Sequence, residues 1–196
     1  PIKEPAGDIG ILSVDEARRL LVTASDEPAI LPAIAIGLFA GVRDAELKRL
    51  DWREIDLDRG FIEIKAGNAK SARRRLITIQ PVLKAWLEPL AQSSGPVWPS
   101  GETGRNIHEA VRRQAGFGRP GSETLEELEA GMKLIPWPHN ALRHSFASYH
   151  LAQFKNSDEL ALEMGHTGTA LIFQHYREVV RPVDAEAFWK LAPGGT

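Results

Sequence analysis

Hydrophobic and polar positions along the chain change period twice. The changes separate a helical part, a short stretch of strands and a second helical part. Ser13 and Glu16 have the spacing of a capping box before an apolar stripe, so a helix starts near Val14. "EPAILPAIAIGLFAG" is apolar nearly all round and predicts a buried helix, with Gly37 and Gly41 near its end. "RDAELKRL" reads as a short amphipathic helix. The period then becomes two. Alternation with turn signals at Asp58-Arg59-Gly60 and Gly67-Asn68 predicts three antiparallel strands, near 53–57, 61–65 and 74–79.

Helical spacing returns at Pro81, a residue suited to a first helical position. "TGRNIHEAVRRQAG" predicts a helix stopped by Gly116. Residues 117–137 read as a loop with a helical turn at "TLEELEA". Helices are expected near 139–154, 157–164, 168–177 and 183–191. The fold class is therefore mainly α with a small three-stranded antiparallel β-sheet, an α+β arrangement.

Composition adds limits. At 196 residues the chain is long enough for one good-sized core, and 43% apolar with 26% charged residues is an ordinary globular balance. No apolar run approaches the roughly 20 residues of a membrane span. There is no cysteine, which excludes disulfides, thiolate zinc sites and cysteine nucleophiles. None of HExxH, GxSxG or a P-loop is present, so no metal site or cofactor is expected.

The net charge is −2 with a pI near 6.4, below the value above about 9 usual for a DNA-binding domain. Its distribution is less even. Lys70, Arg73, Arg74 and Arg75 fall in six residues without an acid. Arg105, Arg112, Arg113 and Arg119 face only Glu109, and residues 121–133 carry four Glu.

Two arginines sit where charge is costly. Arg43 follows the buried helix, and Arg143 lies between Leu142 and Phe146 on another. A guanidinium there needs an anion: a carboxylate such as Glu46 or Asp44, or a bound phosphate that it can fork. Of the two tyrosines, Tyr149 lies on the apolar stripe of Leu142 and reads as core. Tyr176, taken alone, reads as a surface or rim residue. His144 reads as a residue that holds its helix to neighbours.

Four segments together resemble the tyrosine recombinases of the phage-integrase family. "GVRDAELKRLDWREIDLDRGFIEI" is similar to the family's first arginine box, and "AKSARRRLITI" to its β-hairpin lysine segment. "ALRHSFASYHLA" is similar to the second arginine box, and "EMGHTGTALIFQHY" to the closing Gly-His and His-Tyr. They occur in family order over 43–176.

The resemblance implies the tyrosine recombinase catalytic-domain fold over 13–196. Residues 1–12 would then be the trailing linker of an N-terminal DNA-clamping domain. It also implies catalytic roles for Arg43, Lys70, Arg143, His166 and Tyr176. Tyr176 would attack a DNA phosphodiester to give a 3′-phosphotyrosine, with no cofactor. Asn140 and His175 are phosphate-contacting candidates. Arg73, Arg74, Arg75, Arg112 and Arg113 are candidates for binding double-stranded DNA. The implied assembly is a homo-tetramer on DNA and a monomer without it, in the bacterial cytoplasm at the nucleoid, on a mobile element or a chromosome.

One position departs from the family pattern. The family has His three residues before the second arginine; here that residue is Asn140, and His139 is one residue too early. Asn can donate to a phosphate oxygen but cannot shuttle a proton. A DNA-binding remnant that does not cut, or a type IB topoisomerase-like relaxing enzyme, is the alternative reading.

Overall fold

The computed structural model describes residues 10–67, 74–166, 168–170, 172, 176 and 180–194. Nine described helices and one sheet follow the predicted order. They are α1 (Val14–Ser25), α2 (Leu31–Ala40), α3 (Asp44–Leu47), β1 (Ile55–Asp56), β2 (Phe61–Ile64), β3 (Arg75–Thr78), α4 (Pro81–Leu87), α5 (Gly101–Gln114), α6 (Leu125–Glu129), α7 (Ala141–Phe154), α8 (Ser157–Met164) and α9 (Pro182–Phe188).

The start of α1 is the expected capping box. Ser13 Oγ accepts from Glu16 N–H, and the Glu16 carboxylate accepts from Ser13 N–H at 2.7 Å. Helix α2 is apolar on every side because every side is covered: all ten of its residues are buried, between α1, α4 and α7. It ends at Gly41 with φ +60°, a left-handed conformation that glycine adopts without a Cβ clash.

The sheet has order β1-β2-β3, all antiparallel, in the register Ile55↔Ile62 and Ile62↔Ile77. Its strands are shorter than their alternation suggested. Residues 52–54 form a 3₁₀ turn, because Asp51 Oδ1 accepts from Arg53 N–H and tightens the backbone before pairing begins. On β3 the alternation buries Arg75 and Ile77 and exposes Leu76 and Thr78.

Helix α7 crosses the core against α2 and α9. The Tyr149 ring stacks on Phe188 with centroids 3.9 Å apart, and its hydroxyl donates to Leu12 O. Tyr149 is core, as expected. Leu12 is fully buried, and its N–H donates to Ser145 Oγ at 2.8 Å. Of the other residues assigned to a linker, 1–9 lie outside the described residues. Helix α7 starts later than predicted, at Ala141, because Asn140 takes a left-handed conformation, φ 52°, and breaks the ladder before it.

Candidate active site

The site begins with a close approach. A Cβ on Gly37 would run into Leu142, and one on Gly41 into the Phe146 ring. Two glycines at the end of α2 thus let the Leu142 and Phe146 face of α7 come against the backbone. This explains how Arg143 is tolerated between two apolar residues. Its Nη1 donates to Gly41 O, and its Nη2 donates to Met164 O at 2.7 Å and reaches His166 Nε2 at 3.3 Å. Among the described residues these partners include no carboxylate, so its charge is not cancelled by a bonded anion. Burial, with the Arg43 charge behind it, pushes the Arg143 guanidinium down from its ordinary range. Such a cation favours an anion over water.

Arg43 comes from the same turn. It is the N-cap of α3, and the Glu46 carboxylate accepts from both its N–H, at 3.2 Å, and its Nη1, at 3.1 Å. Its side chain keeps 21% of its surface exposed, whereas Glu46 keeps 2%. The same carboxylate takes a fork from Arg75, at 3.1 and 2.6 Å. Burial alone would raise the Glu46 pKa, but the Arg75 hydrogen bonds and charge, with those of Arg43, hold it below the usual carboxylate range.

His166 follows Gly165, the left-handed cap of α8, and its N–H donates to Ala161 O. Tyr176 is 5% exposed, so its reading as a rim residue is corrected: it packs in a second apolar cluster with Phe146, Leu160, Met164 and Ile172. Its hydroxyl lies 2.8 Å from His144 Nδ1. Burial raises the Tyr176 pKa, and the Arg143 and Arg43 charges act against that rise. Arg43, Arg143, His166 and Tyr176 therefore come together. Lys70, Arg73 and His175 lie outside the described residues.

Of the DNA-binding candidates, one is turned into the core and another is engaged within the chain. Arg75 is buried between Glu46 and Glu163 O, because strand alternation turns it inward. Arg113 is held by Glu127 at 2.7 Å through both Nε and Nη2, and by Ser122 O, and so clamps α6 to α5. The acidic run at 121–133 thus has an internal counter-charge. Arg74 stands exposed beside Glu63.

Arg112 lies with its guanidinium 5.1 Å from the Trp137 ring centre. It lines a cleft of about 340 Å³ with Lys48, Arg105, His139, Asn140 and Arg143. His144 was read as a residue that holds its helix to neighbours, and its partner is Tyr176, 32 residues away; no spacing along the chain signals that pair. Among the described residues no group of three or more His, Cys, Asp or Glu could hold a metal. Among them, too, no helix is long and apolar enough to cross a membrane.

No family model matches the chain. Curated relatives do. Tyrosine recombinase XerC of Xanthomonas campestris pv. campestris (strain B100) is 29% identical over 185 residues, covering 86% of this chain and 53% of the relative. Tyrosine recombinase XerC of Xylella fastidiosa (strain 9a5c) is 30% identical over 175 residues, covering 84% and 55%. The chain belongs to the tyrosine recombinase family. It spans about half the length of the curated relatives it matches.

The crystal structure of XerA recombinase shares its fold, with a TM-score of 0.66 at 18% identity, over 94% of this chain and 65% of that one. A tyrosine recombinase fold thus positions the cluster. The family's departure at Asn140 also acquires a shape. Asn140 takes a left-handed conformation just before α7, and His139 and Asn140 both line the cleft that reaches Arg143.

Proposed function

We propose that this tyrosine recombinase domain cuts and rejoins double-stranded DNA at specific sites through a 3′-phosphotyrosine. The observation that supports it is the convergence of Arg43, Arg143 and His166 on a buried Tyr176. Tyr176 Oη attacks the phosphorus, and the bond to the 5′-oxygen breaks. Returning a 5′-hydroxyl reverses the step, so the bond energy is retained.

An ordinary tyrosine, with a pKa near 10, costs about 4 kcal/mol to ionise at pH 7. Burial adds to that cost, and Arg143 and Arg43 offset part of it. The same two cations stabilise charge on the phosphorane, where one well-placed donor is worth about 3–4 kcal/mol. Lys70 is the proposed acid for the leaving oxygen. Asn140 and His175 are proposed phosphate contacts, and Arg73, Arg74 and Arg112 backbone contacts. The working assembly is proposed as a homo-tetramer on DNA in the cytoplasm, with a clamping domain joined through the linker 1–12.

The exposed Asn140 favours a second reading, a remnant that binds DNA without cutting. One experiment separates the two. The chain is incubated with a library of nicked duplexes of random sequence, and covalent protein–DNA adducts are recovered and sequenced. The proposal expects adducts from a preferred sequence, lost in Tyr176→Phe. Retained duplexes without any adduct mean the remnant, and adducts without sequence preference mean a relaxing enzyme.

A further inference from the structure

We infer that His144 accepts the Tyr176 proton as the phenol attacks, an inference that rests on the strand-cutting reading above. His144 Nδ1 lies 2.8 Å from Tyr176 Oη. The ring centroids are 5.7 Å apart at 40°, a tilted contact rather than a stack. A hydroxyl at that distance either gives its proton to the ring nitrogen or receives one from it, and the tautomer of His144 decides which.

Among the described residues the other nearby histidine, His166, faces Arg143. A guanidinium only donates, so the Nε2 that faces Arg143 Nη2 presents its lone pair, and the His166 proton sits on Nδ1. His166 thereby positions Arg143, and its Nε2 lone pair is taken. His144 is the next residue to Arg143 on α7, about 100° around the helix. One turn of one rigid element therefore aims a cation at the phosphate and a base at the nucleophile.

The step balances. The Tyr176 O–H bond breaks as the Oη–P bond forms, and the proton passes to His144 Nδ1, giving an imidazolium. The P–O5′ bond breaks, and the leaving oxygen takes its proton from the general acid, proposed as Lys70. On rejoining, His144 returns its proton to Tyr176.

The first test needs no DNA. Histidine-selective ¹⁵N NMR of the chain reads the ring nitrogens of His144, assigned with His144→Gln. The inference expects a neutral ring protonated on Nε2, with a Nδ1 resonance that moves in Tyr176→Phe. A ring protonated on Nδ1 near neutral pH, or a resonance indifferent to Tyr176→Phe, overturns it.

The second uses a duplex recovered from the nicked library. His144→Gln can still accept a hydrogen bond from Tyr176 but cannot take its proton. Adduct formation is expected to fall about 10²–10⁴-fold with DNA affinity unchanged. His144→Ala is expected to regain rate with added imidazole. A His144→Gln rate equal to wild type, or a loss of rate tracking a loss of affinity, overturns the inference. If wild type gives no adduct, the strand-cutting reading fails, while the tautomer still decides whether His144 can accept the proton.

Discussion

Arg75 and Arg43 share one carboxylate, that of Glu46, which is 2% exposed and receives a fork from Arg75 and a single guanidinium bond, with a backbone N–H, from Arg43. One buried acid thus compensates two cations from β3 and from the turn after α2. Removing one member of a buried charged group costs about 3–5 kcal/mol, because its partners stay buried and unpaired. Glu46→Gln is expected to lower stability by that amount in urea unfolding and to free Arg43 from its anchor. A loss below about 1 kcal/mol would mean that the three charges are solvated rather than coupled.

The end of α2 makes a separate prediction. Gly41 has φ +60°, and a Cβ there meets the Phe146 ring. Gly41→Ala is expected to cost about 1–3 kcal/mol through overpacking, with the strained left-handed backbone added to it. The melting temperature should fall by about 2–4 °C per kcal/mol for a chain of this size. Phe146 must move, and Arg143 lies on the same helix with its Nη1 on Gly41 O. The tyrosine adduct should therefore weaken even where the domain remains folded.

Elements and core were legible because they depend on local period. The capping box at Ser13, the all-apolar α2 and the Gly165 stop of α8 are written in adjacent residues. The proposed arginines were legible as misplaced charges, and the family pattern supplied the order of the boxes. The contacts between boxes were not. Whether Arg75 faced DNA or the core depended on strand phase at a hairpin whose length the sequence left open. Arg113 was bound to Glu127, fourteen residues on in the expected helical turn, a pairing that no local pattern marks. His144 and Tyr176 meet only because α7 and α8 close over one apolar cluster, and nothing between them in the chain announces it.

Acid should unfold this domain through the buried His150 and the half-buried His108. Burial pushes His150 and His108 down to about 4 from 6.5. Their folded pKa values are the depressed ones, so the unfolded state binds protons first. The stability they contribute is fully present above pH 6.5 and is lost as pH falls towards 4. A gap of that size is worth about 3 kcal/mol for the fully buried His150, at about 1.36 kcal/mol per pH unit. His150 lies among Phe146, Phe154 and Trp189, and its Nδ1 has no partner among the described residues. His150→Phe is expected to be neutral or stabilising at pH 7 and to flatten the loss between pH 6.5 and 4. An unchanged slope in denaturant titrations across that range would assign acid unfolding to other groups.

Adjacent arginines on α5 should behave differently towards DNA. Arg113 is tied to Glu127 and Ser122, so Arg113→Ala is expected to loosen α6 and leave DNA affinity and its salt dependence alone. Arg112 has its Nε buried without a partner among the described residues, and its guanidinium lines the cleft that reaches Arg143. Phosphate contacts release counterions, so losing one lowers the salt dependence as well as the affinity. Arg112→Ala is therefore expected to weaken binding evenly across sequences and to reduce the log–log salt slope by about 1. Fluorescence anisotropy with labelled duplexes at several salt concentrations measures both quantities. Equal slopes for the two variants would mean that the cleft beside Arg143 does not carry DNA.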